Sequence, residues 1–434
     1  MLKKIDLACN KTILFMLTLI FTVLFIDKTL YASEFEDVYD LAQKNDPDAQ
    51  YQLAIMYYRG KGIKCNWEEA SKWFHESARN GHIEAQYMLG HLYEKGEHGV
   101  VRKDLSVSIE YYTKAAKQGH IKALYRASII LNKGYKIPNL GVVRNNDTAK
   151  EWVQKILTAA ENGNAEALTC LGNMYYNGEW VNRNQQKAII NYRKAAEKGD
   201  EEAQYKLGHE YELGNLVKQD YNEAAKWYRK AALQDNHNAQ FNLGLLCLSG
   251  KGTNKNLHEA LKWLYSSAIQ GNVQALNIIA SLAMIGNAEA LDVLGIFAKD
   301  YHHVSAVSVF KELAQHNNRY ALEIICILEE QQYPGIDSIL RSLSKNENAE
   351  IQYNLGDLYF NGKNIKINNK RAFSYYRRAA EKGHSGAQYM IGHMYNEGIG
   401  IEKDKWQAVE WWRKAATHGN IKAQEELAKR NLSY

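Results

Sequence analysis

Proline is scarce in this 434-residue chain: only Pro47, Pro138 and Pro334 occur. Because proline breaks helix interiors, its rarity suits a nearly all-helical chain. Cysteine is sparse too. Beyond Cys9 there are Cys65, Cys170, Cys247 and Cys326, at gaps of 105, 77 and 79 residues. A disulfide needs Cα atoms within about 7 Å, so buried free thiols are expected rather than a disulfide framework. Charge of one sign is also lacking. The net charge is +5, of which residues 1–32 supply +2. The remainder is too small and too evenly mixed to argue for nucleic acid.

Catalytic signatures are missing as well. No Cys-x-x-Cys and no Gly-x-Ser-x-Gly is present. His75-Glu76, His209-Glu210 and His258-Glu259 each lack the second histidine of a zincin helix. Gly60-Lys61-Gly62 and Gly250-Lys251-Gly252 lack the spacing and the Ser/Thr of a phosphate loop. His302-His303 has no further ligand beside it. No catalytic residue, cofactor or metal is expected.

What the chain does have is a phrase that returns: Ala-x-x-x-Leu-Gly-x-x-Tyr, then Ala-x-x-Trp/Tyr, then Ala-Ala-x-x-Gly. Its anchors are Ala49, Ala85, Ala123, Ala167, Ala203, Ala239, Ala275, Ala387 and Ala423, and five of the steps are 36 residues. A fixed period of this size marks a stacked repeat array. Such arrays offer long binding surfaces rather than one deep cleft.

The stretch 200–233 shows how a unit is built. Asp200 can cap a helix, as can Asp46, Asn164 and Asn272 at the same place. Pro47 suits the first helical position. Ala203, Leu207 and Tyr211 form one apolar stripe. Gly208 lies beside it and recurs as Gly90, Gly172, Gly244, Gly356 and Gly392, which predicts close helix approach. Gly214 ends the helix in a left-handed cap. Asp220 and Glu223 open a second helix in the manner of a capping box, as do Asn66 with Glu69 and Asn256 with Glu259. That helix buries Ala224, Trp227 or Tyr228, and Ala231.

The fold class is therefore all-α: a helix-turn-helix repeat solenoid of about nine units, with a degenerate middle. Residues 33–45 read as a capping helix, 46–274 as six units, 275–348 as degenerate helical pairs anchored by Ala290 and Ala321, and 349–420 as two units. Residues 421–434 close the array. A long inter-helix loop is expected at 134–147.

The N-terminus reads as an export signal. Lys3, Lys4 and Lys11 precede an uncharged apolar run, Thr12 to Ile26. As a helix it spans about 22 Å, short of the roughly 30 Å hydrocarbon core. Cleavage is expected after Ala32, leaving no membrane span in the mature chain. Leu30 is not the usual small residue there, so an uncleaved anchor is the alternative. Leu7-Ala8-Cys9 precedes the apolar run, which argues against lipidation.

The phrases AQYMLGHLYEKG (85–96), AQYKLGHEYELG (203–214) and AQYMIGHMYNEG (387–398) resemble the Sel-one-like repeat (SLR) family of the tetratricopeptide (TPR) superfamily. AAKWYRKAALQ (224–234) and AVEWWRKAATHG (408–419) match its second helices. The resemblance implies a right-handed α/α superhelix that scaffolds protein–protein contacts. It implies, for an exported bacterial member, an adaptor in envelope signalling or host interaction. A cysteine-rich branch carries a disulfide in each unit and is linked to penicillin binding. This chain lacks those cysteine pairs.

The candidate partner-binding residues are those turned away from the core stripe: Tyr51, Tyr87, Tyr205, Phe241, Tyr353 and Tyr389, with His91, His209, His393, Glu94 and Glu212. An aromatic row along a concave face suits capture of a protein or peptide. The competing reading has each ring packed on the next unit's first helix with its edge exposed, and it is the preferred one. His91, His209 and His393 share one helical place in separate units, too far apart for a common metal. Binding or hydrolysis of cell-wall fragments or β-lactams is the alternative function, though no carboxylate pair stands out. An RNA-reading repeat is opposed by the weak charge and the export signal.

Overall fold

In this computed structural model the described residues are 34–433, apart from 61–62, 64–65, 97–100, 138–140, 144, 300–302 and 363. The export segment, Cys9, Cys65, Lys61, Gly62, Pro138 and His302 lie outside them. The chain divides into two compact units, one ending at Asn277 and one starting at Ile278.

In the first unit, a lone helix α1 (34–43) precedes six helical hairpins. They are α2 Pro47–Arg59 with α3 Trp67–Arg79, α4 Ile83–Lys95 with α5 Leu105–Lys117, and α6 Ile121–Lys133 with α7 Asn146–Glu161. Then come α8 Ala165–Asn177 with α9 Gln185–Glu197, α10 Glu201–Leu213 with α11 Tyr221–Ala232, and α12 His237–Ser249 with α13 Leu257–Ile269. Helix α14 (Val273–Met284) crosses the division. Between α6 and α7 the expected loop is instead a short antiparallel hairpin, β1 Tyr135–Ile137 and β2 Gly141–Val143, with Lys136 opposite Val142. Its three-residue strands are too short for a strong alternating pattern, so the sequence read as a loop.

In the second unit, α15 Ala288–Lys299, α16 Val304–Gln315, α17 Arg319–Glu330 and α18 Ile336–Lys345 occupy the stretch where the phrase degrades. Ala290 and Ala321 are fully buried, and Asn287 and Asn318 cap them. Two regular hairpins follow, α19 Ala349–Asn361 with α20 Asn369–Glu381 and α21 Ser385–Glu397 with α22 Lys405–Thr417. Helix α23 (Ile421–Ala428) packs behind them.

The local rules operate as the sequence indicates. Asp200 accepts from the Ala203 N–H at 2.8 Å, and Gly214 turns left-handed at φ 75°. Asp220 accepts from the Glu223 N–H. Glu223 and Glu259 do something the sequence did not suggest: each accepts the indole N–H of the tryptophan one turn on, Trp227 and Trp263.

The mid-helix glycine is a seat for a ring. A Cβ at Gly208 would stand 2.8 Å from Tyr228 Cδ1, and one at Gly90 2.5 Å from Tyr112 Cδ1. The seated side chain lies four residues after Ala188, Ala224, Ala372 or Ala408, and after Ser108 in α5. It is Tyr112, Tyr192, Tyr228, Tyr376 or Trp412, each buried to 2% exposure or less, while Gly244 seats Leu264. Helix α2 has Ala54 at the glycine place, and its hairpin carries the buried Phe74 at the ring place. Trp227 is also buried, in the adjoining core cluster with Ala203 and Leu207. The core residue is thus one place beyond the conspicuous tryptophan.

A buried glutamine follows each of several anchor alanines and joins three helices. Gln204 Nε2 donates to the Ala196 carbonyl of the preceding helix, and its Oε1 accepts from Gln234 at the end of its own hairpin. Gln50, Gln86, Gln240 and Gln388 repeat both bonds, with Asn80, Gln118, Gln270 and His418 as the second partner. A buried amide with both ends satisfied fixes the register between hairpins.

Candidate interaction surface along the first helices

The expected aromatic row exists on most first helices; α6 contributes Tyr125, buried at 5% exposure, and α8 has Thr169 at this place. Tyr51, Tyr87, Tyr205, Phe241, Tyr353 and Tyr389 are all half-buried. Four lean on an aromatic ring of their own second helix. The pairs are Tyr51–Phe74, Tyr87–Tyr112, Tyr205–Tyr228 and Tyr353–Tyr376, with centroids 5.7–6.0 Å apart.

At three places the other face of the ring is covered too. His82, His120 and His384 stack on Tyr51, Tyr87 and Tyr353 at 4.4–4.5 Å, tilted by about 20°. These histidines are the N-caps of the next first helices. Each Nδ1 accepts a backbone N–H, from Ala85, Ala123 and Ala387 respectively. An acceptor Nδ1 leaves the proton on Nε2. There it faces a carboxylate of the previous unit: Asp48 at 3.3 Å, Glu84 at 3.1 Å and Glu350 at 2.8 Å. Burial holds His82 below the usual histidine range, against the pull of Asp48 and Glu84. The hydrogen bond from His120 holds Glu84 below the usual carboxylate range. The packing reading therefore describes Tyr51, Tyr87 and Tyr353. The residue met on the next helix is its capping histidine rather than an apolar side chain. Sequence reasoning missed these caps, although histidine three residues before the anchor alanine was a visible signal.

Elsewhere the next cap is asparagine. Asn236 follows Tyr205, Asn272 follows Phe241 and Asn420 follows Tyr389, each bonded to its anchor N–H. No N-cap imidazole covers these three rings. Their own helices bring histidines near instead, Tyr205–His209 at 6.1 Å and Tyr389–His393 at 6.5 Å. His91 is likewise half-buried on α4. No group of three metal-ligating side chains is assembled among the described residues.

The two candidate acids are engaged within the protein. Glu94 accepts from Tyr112 OH at 2.8 Å and from the Arg126 guanidinium. Burial alone would raise its carboxyl, but Arg126 overrides that and holds it below the ordinary range. Glu212 accepts from Tyr228 OH at 2.6 Å.

Between α6, α8 and α10 lies a charged cluster that sequence reasoning did not find. Lys122 reaches within 4.0 Å of Glu166, a long-range pair. Burial works to lower this ammonium, yet Asp200, Glu202, Tyr87 and Glu166 raise it above its usual value. Asp200 also accepts from Thr169 at 2.8 Å, and Glu202 from Asn173 at 3.3 Å. Cys170 is fully buried beside them, and burial pushes its thiol well up. Cys247 and Cys326 are also buried and free. Side chains of α4, α6, α8 and the start of α10 thus engage one another across the first helices. Helical spacing predicts which residues face inward, but not how closely successive helices converge.

Two open clefts lie beside α11–α13. One, of about 430 Å³, is lined by Lys226, Arg229, Asn254 and Glu259. Its Arg229 and Glu259 pair with each other at 2.5 Å. The other, of about 310 Å³, is lined by Glu212, Tyr221, Leu245, Leu248 and Lys251.

A family model described as Sel1 repeat matches residues 47–82, 83–120, 121–164, 165–200, 201–236, 237–272, 349–384 and 385–420. Among solved structures, a protective antigen of uropathogenic Escherichia coli with an SLR fold is 27% identical over 92% of this chain and 91% of its own, at a TM-score of 0.31. A Sel1 repeat protein from Oxalobacter formigenes is 23% identical over 92% and 91%, at 0.30. An immunity protein from Pseudomonas aeruginosa is 22% identical over 52% and 83%, at 0.38. The matched segments coincide with eight helical hairpins, five of which carry a Gly–ring seat, and the chain belongs to the Sel1 repeat family.

Proposed function

We propose that this protein is an exported, non-enzymatic adaptor that binds a protein or peptide along the face made by its first helices, in envelope signalling or host interaction. Sel1 repeat proteins are generally protein-interaction scaffolds. The observation that carries the reading is the uneven capping of the aromatic row. Tyr51, Tyr87 and Tyr353 are closed by imidazoles, whereas Tyr205, Phe241 and Tyr389 stand before asparagine caps. Tyr205 and Phe241 with His209, and Tyr389 with His393, supply large amphipathic contact area at low entropy cost. Lys422 lies over the Tyr389 ring, 6.0 Å from its centroid. The basic start and short apolar run of residues 1–32 support export. No described helix is long and apolar enough to cross a membrane.

The test is affinity capture from an envelope fraction with the full chain, repeated with Tyr205, His209, Tyr389 and His393 changed to Ala. Loss of the captured protein from a folded variant is the expected result. Undiminished recovery rejects this face as the contact. Turnover of muropeptides or a β-lactam by the pure protein, lost on changing one acidic residue, overturns the non-enzymatic reading.

A further inference from the structure

The turn before each first helix needs one residue in the left-handed region. Glycine fills it as Gly81, Gly119, Gly163 and Gly199, with φ between 78° and 98°. Before α12 the same place holds Asp235 at φ 65°. Its backbone bonds match those of its sisters: Asp235 N–H donates to Ala232, as Gly199 N–H donates to Ala196. Aspartate tolerates this conformation better than most residues but still less well than glycine.

At Gly81, Gly119 and Gly199 an added Cβ meets nothing within 4 Å. At 235 the side chain finds a partner. Its Oδ2 lies 3.6 Å from Nη1 of Arg59, at the far end of α2 in the first hairpin. The second unit shows the same trade. Asn317, left-handed at φ 63° in the turn after α16, accepts from Asn354 of α19 at 2.9 Å.

We propose that Arg59 and Asp235 form an ionic clasp that holds the first unit closed, the end of its first hairpin against the turn that opens its sixth. The clasp sets how far the inner face opens. That a partner senses this opening rests on the adaptor reading; the clasp itself does not. Salt, or an anionic group competing for Arg59, releases it.

Hydrogen exchange of the full chain without any partner tests the clasp. Asp235→Asn keeps a residue that tolerates the turn and removes the charge; Arg59→Gln removes the other half. An exposed ion pair moves an opening equilibrium by at most about five-fold. Each single variant should speed exchange by up to that factor both at the end of α2 and at 233–236. The double variant should show no more than a single one. Salt at about 0.5 M should bring the parent chain to the same rates. Asp235→Gly suits the turn better, so it should loosen both sites while leaving the melting temperature unchanged or higher. Unchanged exchange at either site, or additive single effects, overturns the proposal.

Discussion

Glu210 occupies the place in α10 held by Leu92, Met174, Leu246 and Met394 in sister helices, and it is only 4% exposed. One oxygen, Oε2, has no hydrogen-bond partner. The carboxylate receives the Leu216 N–H, yet burial still pushes its pKa above the usual glutamate range. An orphaned buried polar atom costs about 1–3 kcal/mol. Glu210→Met places an apolar group where the sister helices carry one. It gives up one loop hydrogen bond, worth about 1 kcal/mol. The net expectation is a gain of up to about 2 kcal/mol, or up to roughly 8 °C in Tm for a unit of this size. The gain depends on pH with a definite sign. A carboxyl raised in the folded state binds its proton more tightly there, so the parent loses stability as pH rises from the unfolded value, about 4.3. The variant lacks that loss. Its advantage should be larger at pH 7 than at pH 4, read by thermal melts of both proteins across that range. An equal gain at both pH values, or a lower Tm at pH 7, refutes the reasoning.

Three further outcomes follow from the packing. Gly208→Ala should destabilise by about 1–3 kcal/mol in chemical denaturation, because the new Cβ meets the Tyr228 ring at 2.8 Å; the methyl's helix propensity, at most about 1 kcal/mol, does not offset this. His82 is held below its usual pKa, so its contribution is present above about pH 6.5 and lost as pH falls below that. His82→Asn keeps a capping side chain and should flatten the fall in Tm between pH 7 and 5. Tyr87→Ala should cost about 3 kcal/mol or more, since it empties a stack between His120 and Tyr112, whereas Tyr389→Ala, which loses packing on the Trp412 cluster but no imidazole stack, should lower Tm less and weaken partner capture.

The helical hairpins, their caps and their glycine terminators were legible because each depends on residues a few places apart. Asp200, Gly214 and Asp220 act within their own turns. The seat of Gly208 was legible as a close approach, but the ring in it was not, because Trp227 and Tyr228 are equally apolar neighbours in sequence. The β1–β2 hairpin left no pattern long enough to read. The candidate surface was half legible. Helical phase placed Tyr51, Tyr87 and Tyr205 on one face. Whether that face is covered depends on a residue one unit further on, His82 or His120 as against Asn236. Glu94 and Glu212 were placed on the right helices, but their partners, Arg126 of the next hairpin and Tyr228 of the same one, are set by packing between helices. Lys122 and its carboxylates meet through the convergence of helices from three hairpins, which one sequence does not encode locally.

The glutamine bonds give the array a quantised length. Each rung spans the end of one hairpin and both helices of the next, so α1 completes the first rung through Ala42, and Gln424 of α23 makes the corresponding backward bond to Ala416. Inserting or removing one whole period transfers every rung intact to a new neighbour. Inserting a single helix strands a buried amide and turns the following hairpins to the wrong face. Duplication by whole units is therefore the inexpensive route by which such a chain lengthens.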